Sequence, residues 1–256
     1  MNDIKDTYLT IITIVKDDRY GLEKTYHSLK YLIKYDINFQ WILVDGTSIP
    51  LDKSFIKEIN PKIIEEPDFG IYNAMNKGIK FAIGKFLLFL NAGDILNNSK
   101  GIKSLEKNLK KENNDVICYS WIAVINKTKF YKIANFRNNK ITRLLRMPSS
   151  HQSMLYKKDK LKNNLFDENF KICGDYAMYL NSLNKGWNYK IHNNIFLVGF
   201  SHDDGISTRK PRILAIESAK AIFKYTSKNI FIKTFISLII ITRAFLRYYF
   251  FRFLKI

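Results

Sequence analysis

Acidic residues close three apolar runs in the first hundred positions. ITIV leads to Asp17 and Asp18, WILV to Asp45, and FLLFL to Asn91-Ala92-Gly93-Asp94. A short, wholly apolar run is the pattern of a strand covered on both faces, as inside a parallel sheet. In open α/β sheets ligands bind beyond the carboxyl ends of the strands. Acids gathered there repel one another unless a cation or hydrogen-bond donors sit between them. Hard carboxylate oxygens suit magnesium or manganese, and Asp45 could instead accept hydrogen bonds from a base or ribose. Each aspartate taken singly also reads as a cap for the turn or helix that follows. Three at equivalent places favour a shared cation.

The elements that must carry these acids alternate. YLTIITIV (8–15), WILVD (41–45) and KIIEE (62–66) read as strands, and FLLFL makes a fourth. Between them, residues 22–35 place Leu22, Tyr26, Leu29 and Ile33 at helical spacing, and residues 70–84 do the same with Tyr72, Met75, Ile79 and Ile83. Gly84 reads as the stop of that second helix. Strands alternating with helices predict βαβ units and a mainly parallel sheet. Beyond residue 100 the pattern loosens. DVICYSWIAVI and KFYKIA pair as strands, NFRNNKITRLLRMPSS is a basic irregular connection, GDYAMYLNSLNKG is a short helix ended by Gly186, and YKIHNNIFLVGF is a further strand. Without a repeat or a Gly/Ser-rich linker, the second half is expected to pack on the same sheet.

A chain of 256 residues fits one large α/β domain with an appended segment. Its two cysteines, Cys118 and Cys173, lack metal-ligand spacing and suit a reducing compartment. The first ten residues carry acids ahead of any apolar run, which does not read as a signal peptide, so the expectation is cytoplasmic. The formal charge of +19 points to anionic partners: nucleic acid, phosphorylated ligands or anionic lipid. A Lys- and Asn-rich composition inflates that figure without function, but it does not explain the last segment. There Lys233, Arg243, Arg247, Arg252 and Lys255 interrupt apolar and aromatic residues, and the longest charge-free run, Thr234 to Thr242, is too short to cross a bilayer. This describes an amphipathic helix lying in a lipid interface; the competing reading is a buried C-terminal helix.

Residues 63–94, IIEEPDFGIYNAMNKGIKFAIGKFLLFLNAGD, resemble the core signature of family 2 glycosyltransferases with the GT-A fold, in particular the bacterial surface-polysaccharide branch. The matching pieces are Glu66-Pro67-Asp68, Gly70-Ile71-Tyr72, Ala74 to Gly78, Ala82, Gly84 and the Leu90-to-Asp94 turn. WILVDGTS resembles a first-half aspartate motif, and HQSMLY and FDENFKICGDYAMYL resemble second-half motifs. The resemblance runs in order from about residue 8 to 210.

It implies a Rossmann-like, mostly parallel sheet flanked by helices. A GT-A domain over 1–210 would divide into a nucleotide-binding half (1–100) and an acceptor-binding half (101–210), followed by a helical, basic-aromatic membrane-interface segment over 211–256. It also implies inverting transfer of a hexose or N-acetylhexosamine from a nucleotide diphosphate sugar, most simply a UDP-sugar, to a lipid-linked or surface-glycan acceptor at the inner face of the membrane. Asp45 matches the position that contacts uracil or ribose, and Thr13 is expected to flank the base. Asp94 matches the final acid of the DxD motif, which holds Mn2+ or Mg2+ on the diphosphate. Alanine at position 92 departs from a two-acid motif, so His202 is a candidate second ligand, with Asp203 and Asp204 competing. Arg209 and Lys210 either reach the diphosphate or are simply solvated. Asp175 matches the catalytic base, otherwise an N-terminal helix cap. His151-Gln152 either lines the cleft near the donor phosphates or the acceptor, or satisfies backbone groups at a loop-to-strand junction. Asp68 either touches the nucleotide or caps its helix.

Three other classes fit less well. A nucleic-acid-binding protein would use the charge and aromatics, but no recognised module is present and the strand-end acids would repel phosphate. A nucleotidyltransferase would carry a Gly-rich phosphate loop near the N-terminus, and TIVKDDRYGLEK is not one. No G-x-G-x-x-G follows the first strand, which argues against a redox enzyme.

Overall fold

A computed structural model describes residues 7–253 apart from 49, 50, 57, 98, 99, 104, 126, 138 and 202–209. Strands β1 (Leu9–Val15), β2 (Phe39–Asp45), β3 (Lys62–Glu65) and β4 (Phe86–Phe89) alternate with helices α1 (Arg19–Lys34) and α2 (Ile71–Phe81). After these come the two-residue strand β5 (Ile95–Leu96), helices α3 (Lys100–Lys103) and α4 (Leu105–Lys111), and the hairpin of β6 (Val116–Ile125) and β7 (Thr128–Lys132). The chain continues through α5 (Lys140–Leu144), a 3-10 turn (His151–Ser153), β8 (Met154–Lys157), α6 (Lys158–Lys162), α7 (Gly174–Asn184) and β9 (Tyr189–Ser201). Two C-terminal helices, Pro211–Tyr225 and Ile230–Phe253, close it.

The sheet runs β3-β2-β1-β4-β8-β6-β9-β5, with β7 on β6. The first four strands are parallel. β8 enters antiparallel between β4 and β6, so the second half mixes directions on the same sheet. That insertion decides the function of the fold. An antiparallel neighbour of β4 begins where β4 ends, and this brings the His151–Ser153 turn beside the Asn91–Asp94 turn.

Both faces of the sheet are covered. Ile12, Ile42, Val44, Leu87 and Phe89 pack against α2, α7 and the C-terminal helices, whereas Leu9, Ile11, Val15, Leu43 and Leu88 pack against α1 and α4. Each fully buried aliphatic side chain stabilises the fold by about 1.5–3 kcal/mol. Ala221, Ile222 and Ile236 share the first of these clusters, so the C-terminal helices are packed into the domain. They also leave Phe231, Phe235, Leu238, Phe245 and Leu246 exposed.

Gly84 does not end α2, which stops at Phe81 with Ala82 extended. Its small size serves a close approach instead. A Cβ there would stand 2.6 Å from the Leu9 carbonyl carbon and 2.6 Å from the Thr10 nitrogen, and the Gly84 N–H donates to Thr10 Oγ1 at 2.9 Å. Backbone atoms cannot rotate aside. Gly84→Ala is therefore expected to destabilise the protein by about 1–3 kcal/mol, the usual range for overpacking, read from urea denaturation.

Candidate active site

The end of β1 is flanked by acids on both sides. Asp45 closes β2 opposite Val15, and the Gly46 N–H donates to the Val15 carbonyl at 3.0 Å. On the other flank the chain leaving β4 stays tied to β1, through Leu90 N–H to the Ile12 carbonyl at 3.0 Å and Ala92 N–H to the Ile14 carbonyl at 3.1 Å. Thr25 of α1 pins this turn: its Oγ1 donates to the Asp94 carbonyl at 2.8 Å and accepts the Gly93 N–H at 3.1 Å. Asp94 is thereby held at the sheet's edge on a rigid support.

Asp94 is buried, 7% exposed, and its Oδ2 accepts the Asn91 N–H at 2.9 Å. Burial pushes its carboxyl up to about 7, against the opposing pull of the His151 charge, the Asn91 N–H and the Gln152 side chain. On the same turn Asn91 Oδ1 is buried without a hydrogen-bond partner. Two hard oxygens, one on a carboxylate short of positive charge, fit a divalent cation. Among the described residues no group of three His, Cys, Asp or Glu side chains could hold one. His202 and Arg209, proposed for the metal and the diphosphate, lie outside the described residues, as do Asp203 and Asp204.

Asp175 sits in the first turn of α7 and faces His151. His151 Nδ1 is 3.3 Å from Asp175 Oδ2, and Oδ1 accepts the Tyr176 N–H at 2.8 Å and lies 3.2 Å from the Tyr72 hydroxyl. Burial alone would raise the Asp175 carboxyl; His151 first, by hydrogen bond and charge, then Tyr176 and Tyr72 hold it below its ordinary value. Burial alone would likewise lower the His151 imidazole, but Asp175, and more weakly the Asp94 charge, carry it above its ordinary value. His151 Nε2 is buried and unpartnered. The imidazole thus lies between the two carboxylates that the sequence assigns to opposite ends of a reaction. His151 stands in the 3-10 turn that leads into β8, with its Nδ1 side turned to Asp175.

Asp45 and Asp68 are neighbours. Asp68 Oδ2 lies 2.0 Å from where a Cβ on Gly46 would stand, so the carboxylate rests against that peptide. Each acid has its own lysine. Lys53 Nζ is 2.5 Å from Asp45 Oδ2 and 2.8 Å from Glu65 Oε1, while Lys77 Nζ is 2.9 Å from Asp68 Oδ1 and 3.2 Å from Glu66 Oε1. Burial opposes ionisation of Asp45, and Lys53 and Thr47 together hold its carboxyl below the usual range. Asp68 does not cap α2, whose N-cap, Gly70, makes no side-chain cap bond. Asp18 is the cap of α1, accepting the Gly21 N–H at 2.8 Å.

Thr13 is placed differently from the expectation that it flanks a base. It is fully buried and its Oγ1 accepts the Trp41 indole N–H at 3.0 Å, on the side of the sheet shared with Ile11 and Val15. Its side chain supports β1 and β2 from within the core. Lys53, Lys77 and Tyr72 are the residues that reading the sequence for acids passed over. Lys77 stands in the helical signature off its apolar stripe, which is its signal, whereas Tyr72 lies on that stripe and is distinguished only by the hydroxyl it carries into the core.

The mixed sheet flanked by helices is a GT-A fold. It matches the crystal structure of Staphylococcus aureus TarS 1-349 with a TM-score of 0.67 at 16% identity, covering 93% of this chain and 72% of that one. That protein has also been solved in complex with UDP and with UDP-GlcNAc. The mannosyltransferase PcManGT from Pyrobaculum calidifontis, solved with GDP-Man and Mn2+, matches with a TM-score of 0.63 at 10% identity over 95% of this chain and 74% of that one. The family model for glycosyl transferase family 2 matches residues 10–187, and the chain belongs to that family. An uncharacterized glycosyltransferase of Mycobacterium tuberculosis, Rv1514c, is 34% identical over 89 residues, 34% of each chain. The PGL/p-HBAD biosynthesis glycosyltransferase Rv2957 is 37% identical over 65 residues, 23% of this chain and 25% of its own. The match thus spans a quarter to a third of the length of these curated relatives.

The raised Asp94 carboxyl has a stability consequence. The folded protein binds this proton more tightly than the unfolded chain does. On this group's account, stability therefore falls as pH rises from the ordinary 3.8 to about 7 and is level beyond. Asp94→Asn removes that fall. In cation-free buffer the stability difference, variant minus wild type, should be larger at pH 8 than at pH 5, by on the order of 1–3 kcal/mol. Urea denaturation at the two pH values measures it.

Proposed function

We propose that the protein is an inverting hexosyl- or N-acetylhexosaminyltransferase, using a nucleotide diphosphate sugar, in first place a UDP-sugar, and a lipid-linked or surface-glycan acceptor. The observation that carries this reading is the grouping of Asp94, a cation-seeking carboxylate, with the paired Asp175 and His151, whose charge Asp94 feels, beside the sheet's carboxyl edge. Family membership supports the class of reaction. The UDP and UDP-GlcNAc complexes of TarS support the class of donor.

In this reading Asp45 and Asp68 take the base and ribose, in exchange for part of their pairing with Lys53 and Lys77. Asp94 and the Asn91 side-chain oxygen, with His202 as a further ligand, would hold Mn2+ or Mg2+ against the diphosphate; Arg209 would meet the same phosphates. A divalent ion bound there supplies Lewis acidity to the departing phosphate oxygens. Asp175 accepts the acceptor hydroxyl's proton as that oxygen attacks the anomeric carbon opposite the diphosphate. A carbon–oxygen bond forms on one face as the bond to the diphosphate breaks on the other. His151 holds Asp175 ionised and ready. Residues 1–100 would bind the donor and 101–210 the acceptor.

The helix Ile230–Phe253 would rest on an anionic membrane surface. No acid follows Glu217 in the sequence, the exposed Phe231, Phe235, Leu238, Phe245 and Leu246 are interleaved with basic residues, and no helix among the described residues is long and apolar enough to cross a membrane.

A panel of nucleotide sugars tested for Mn2+- or Mg2+-dependent turnover and thermal stabilisation fixes base and sugar together. Asp175→Asn should lower kcat by about 10²–10⁴-fold while UDP binding survives; normal turnover in that variant removes the proposed base. Asp94→Ala should lose the metal-dependent part of UDP binding, measured by calorimetry with and without Mn2+. For the membrane, the protein should sediment with vesicles containing phosphatidylglycerol and release as salt rises. Equal recovery with and without vesicles at low salt would refute that location.

A further inference from the structure

The loop that delivers Asp175 is held by a buried acid from a distant helix. Glu217, 8% exposed on the Pro211–Tyr225 helix, accepts three successive backbone N–H groups: Lys171 on Oε1 at 2.8 Å, and Ile172 and Cys173 on Oε2 at 2.8 and 3.0 Å. These are the donors just before α7, whose own N-cap residue, Cys173, makes no side-chain cap bond. A carboxylate facing consecutive N–H groups at the positive end of a helix is a strong, charge-assisted arrangement, and burial strengthens it.

From the other side the Tyr72 hydroxyl donates to the Ile172 carbonyl at 2.6 Å. The peptide groups two and three residues before Asp175 are thus gripped by N–H and by carbonyl, from two helices. Glu217 itself stands on a fixed base. Ala221 and Ile222, a turn further along its helix, are fully buried, and Ser218 Oγ reaches both the Leu214 carbonyl and Cys173 Sγ.

We propose that Glu217 is a positioning residue for transfer, its carboxylate fixing the backbone that sets Asp175 against His151. The proposal rests on the transferase reading, in which Asp175 meets the acceptor. It also makes the two C-terminal helices part of the catalytic apparatus, since the same helix that carries Glu217 packs against the basic-aromatic one.

Glu217→Gln keeps the shape but turns an amide NH2 toward an N–H, so the loop should loosen without unfolding. Two readouts are expected to move together. kcat should fall about 10- to 100-fold, the range for a misplacement near 1 Å, with the KM for the nucleotide sugar within about twofold of wild type. Amide hydrogen exchange at Lys171, Ile172 and Cys173 should accelerate while that of β1 and β4 does not. Unchanged kcat, a kcat and KM that change in proportion, or unchanged exchange at those amides overturns the proposal. Should the Gln variant fail to fold, Glu217→Asp, which keeps the charge and loses one methylene of reach, is read on the same two measurements. Wild-type protein inactive on every nucleotide sugar would overturn the transferase reading and the catalytic role with it. The exchange measurement would still report separately on whether Glu217 holds the loop.

Discussion

The pair of Asp175 and His151 is the constraint on which the rest of the site depends. A half-buried carboxylate at the mouth of a sheet stays ionised most readily when positive charge or donors face it. Asp175 has both, from His151 and the Tyr176 N–H, with the Tyr72 hydroxyl shared between it and the nearer Ile172 carbonyl. These partners come from three separate places in the chain: the turn before β8, α7 itself, and α2. Their convergence requires β8 to lie antiparallel beside β4 and α7 to pack on α2, so one ion pair samples the correctness of the whole sheet. Burial also opposes the protonated imidazole, and the compensation from Asp175 makes the pair interdependent. Neither charge would be stable there alone.

The helical signature of residues 70–84 serves this convergence more than it serves a ligand. Asn76 is buried and exchanges hydrogen bonds with the loop leading to α7: its Nδ2 donates to the Phe166 carbonyl at 2.9 Å and to Glu168 Oε1 at 2.8 Å, and its Oδ1 accepts the Phe166 N–H at 2.9 Å. Asn73 adds a bond to Glu168 Oε2 at 2.9 Å. Two motifs that lie some ninety residues apart in sequence are therefore one structural joint. Polar residues fully paired inside a core specify a unique arrangement better than apolar ones of equal size, because a slipped arrangement leaves them unpaired.

How much of this was legible in the sequence varied with the range of the interaction. β1, α1, β2, α2, β4 and α7 are announced by periodicity and by apolar runs, because each buries a face that local spacing reveals. The acids at the ends of β2 and β4 follow directly, and Asp175 stands at a helix start where an acid is expected. β8 is only four residues long and β5 two, below the length at which alternation distinguishes a strand from a loop. The position of His151 depends on β8, so it could not be decided from the chain. Thr13 shows a different failure. Period-two alternation puts it on the face of Ile11 and Val15, and resemblance to a family outweighed that local rule. Glu217 left a faint signal, one acid among alanines and isoleucines of a helix, readable only once its partners are known.

The lysines alter how the surplus positive charge is to be understood. Lys53 and Lys77, 12% and 13% exposed, neutralise acids at and beyond the ends of β2 and β3, including Asp45, for which a shared cation was one expectation. The acids of this edge therefore divide by partner, with Asp45 and Asp68 on ammonium groups and Asp94 on a backbone N–H, the Gln152 amide and the more distant His151 charge. A ligand arriving at Asp45 must offer donors that replace Lys53 at least in part, since leaving a nearly buried carboxylate unpaired costs more than the pair contributes. On the proposed reading a nucleoside base with an N–H would do this. Asp94 has no ammonium to release. Its burial instead raises the free energy of the ionised form, so on the proposed transferase reading the two halves of the edge would reward different parts of one ligand, hydrogen-bond donors at one end and a metal-bearing diphosphate at the other.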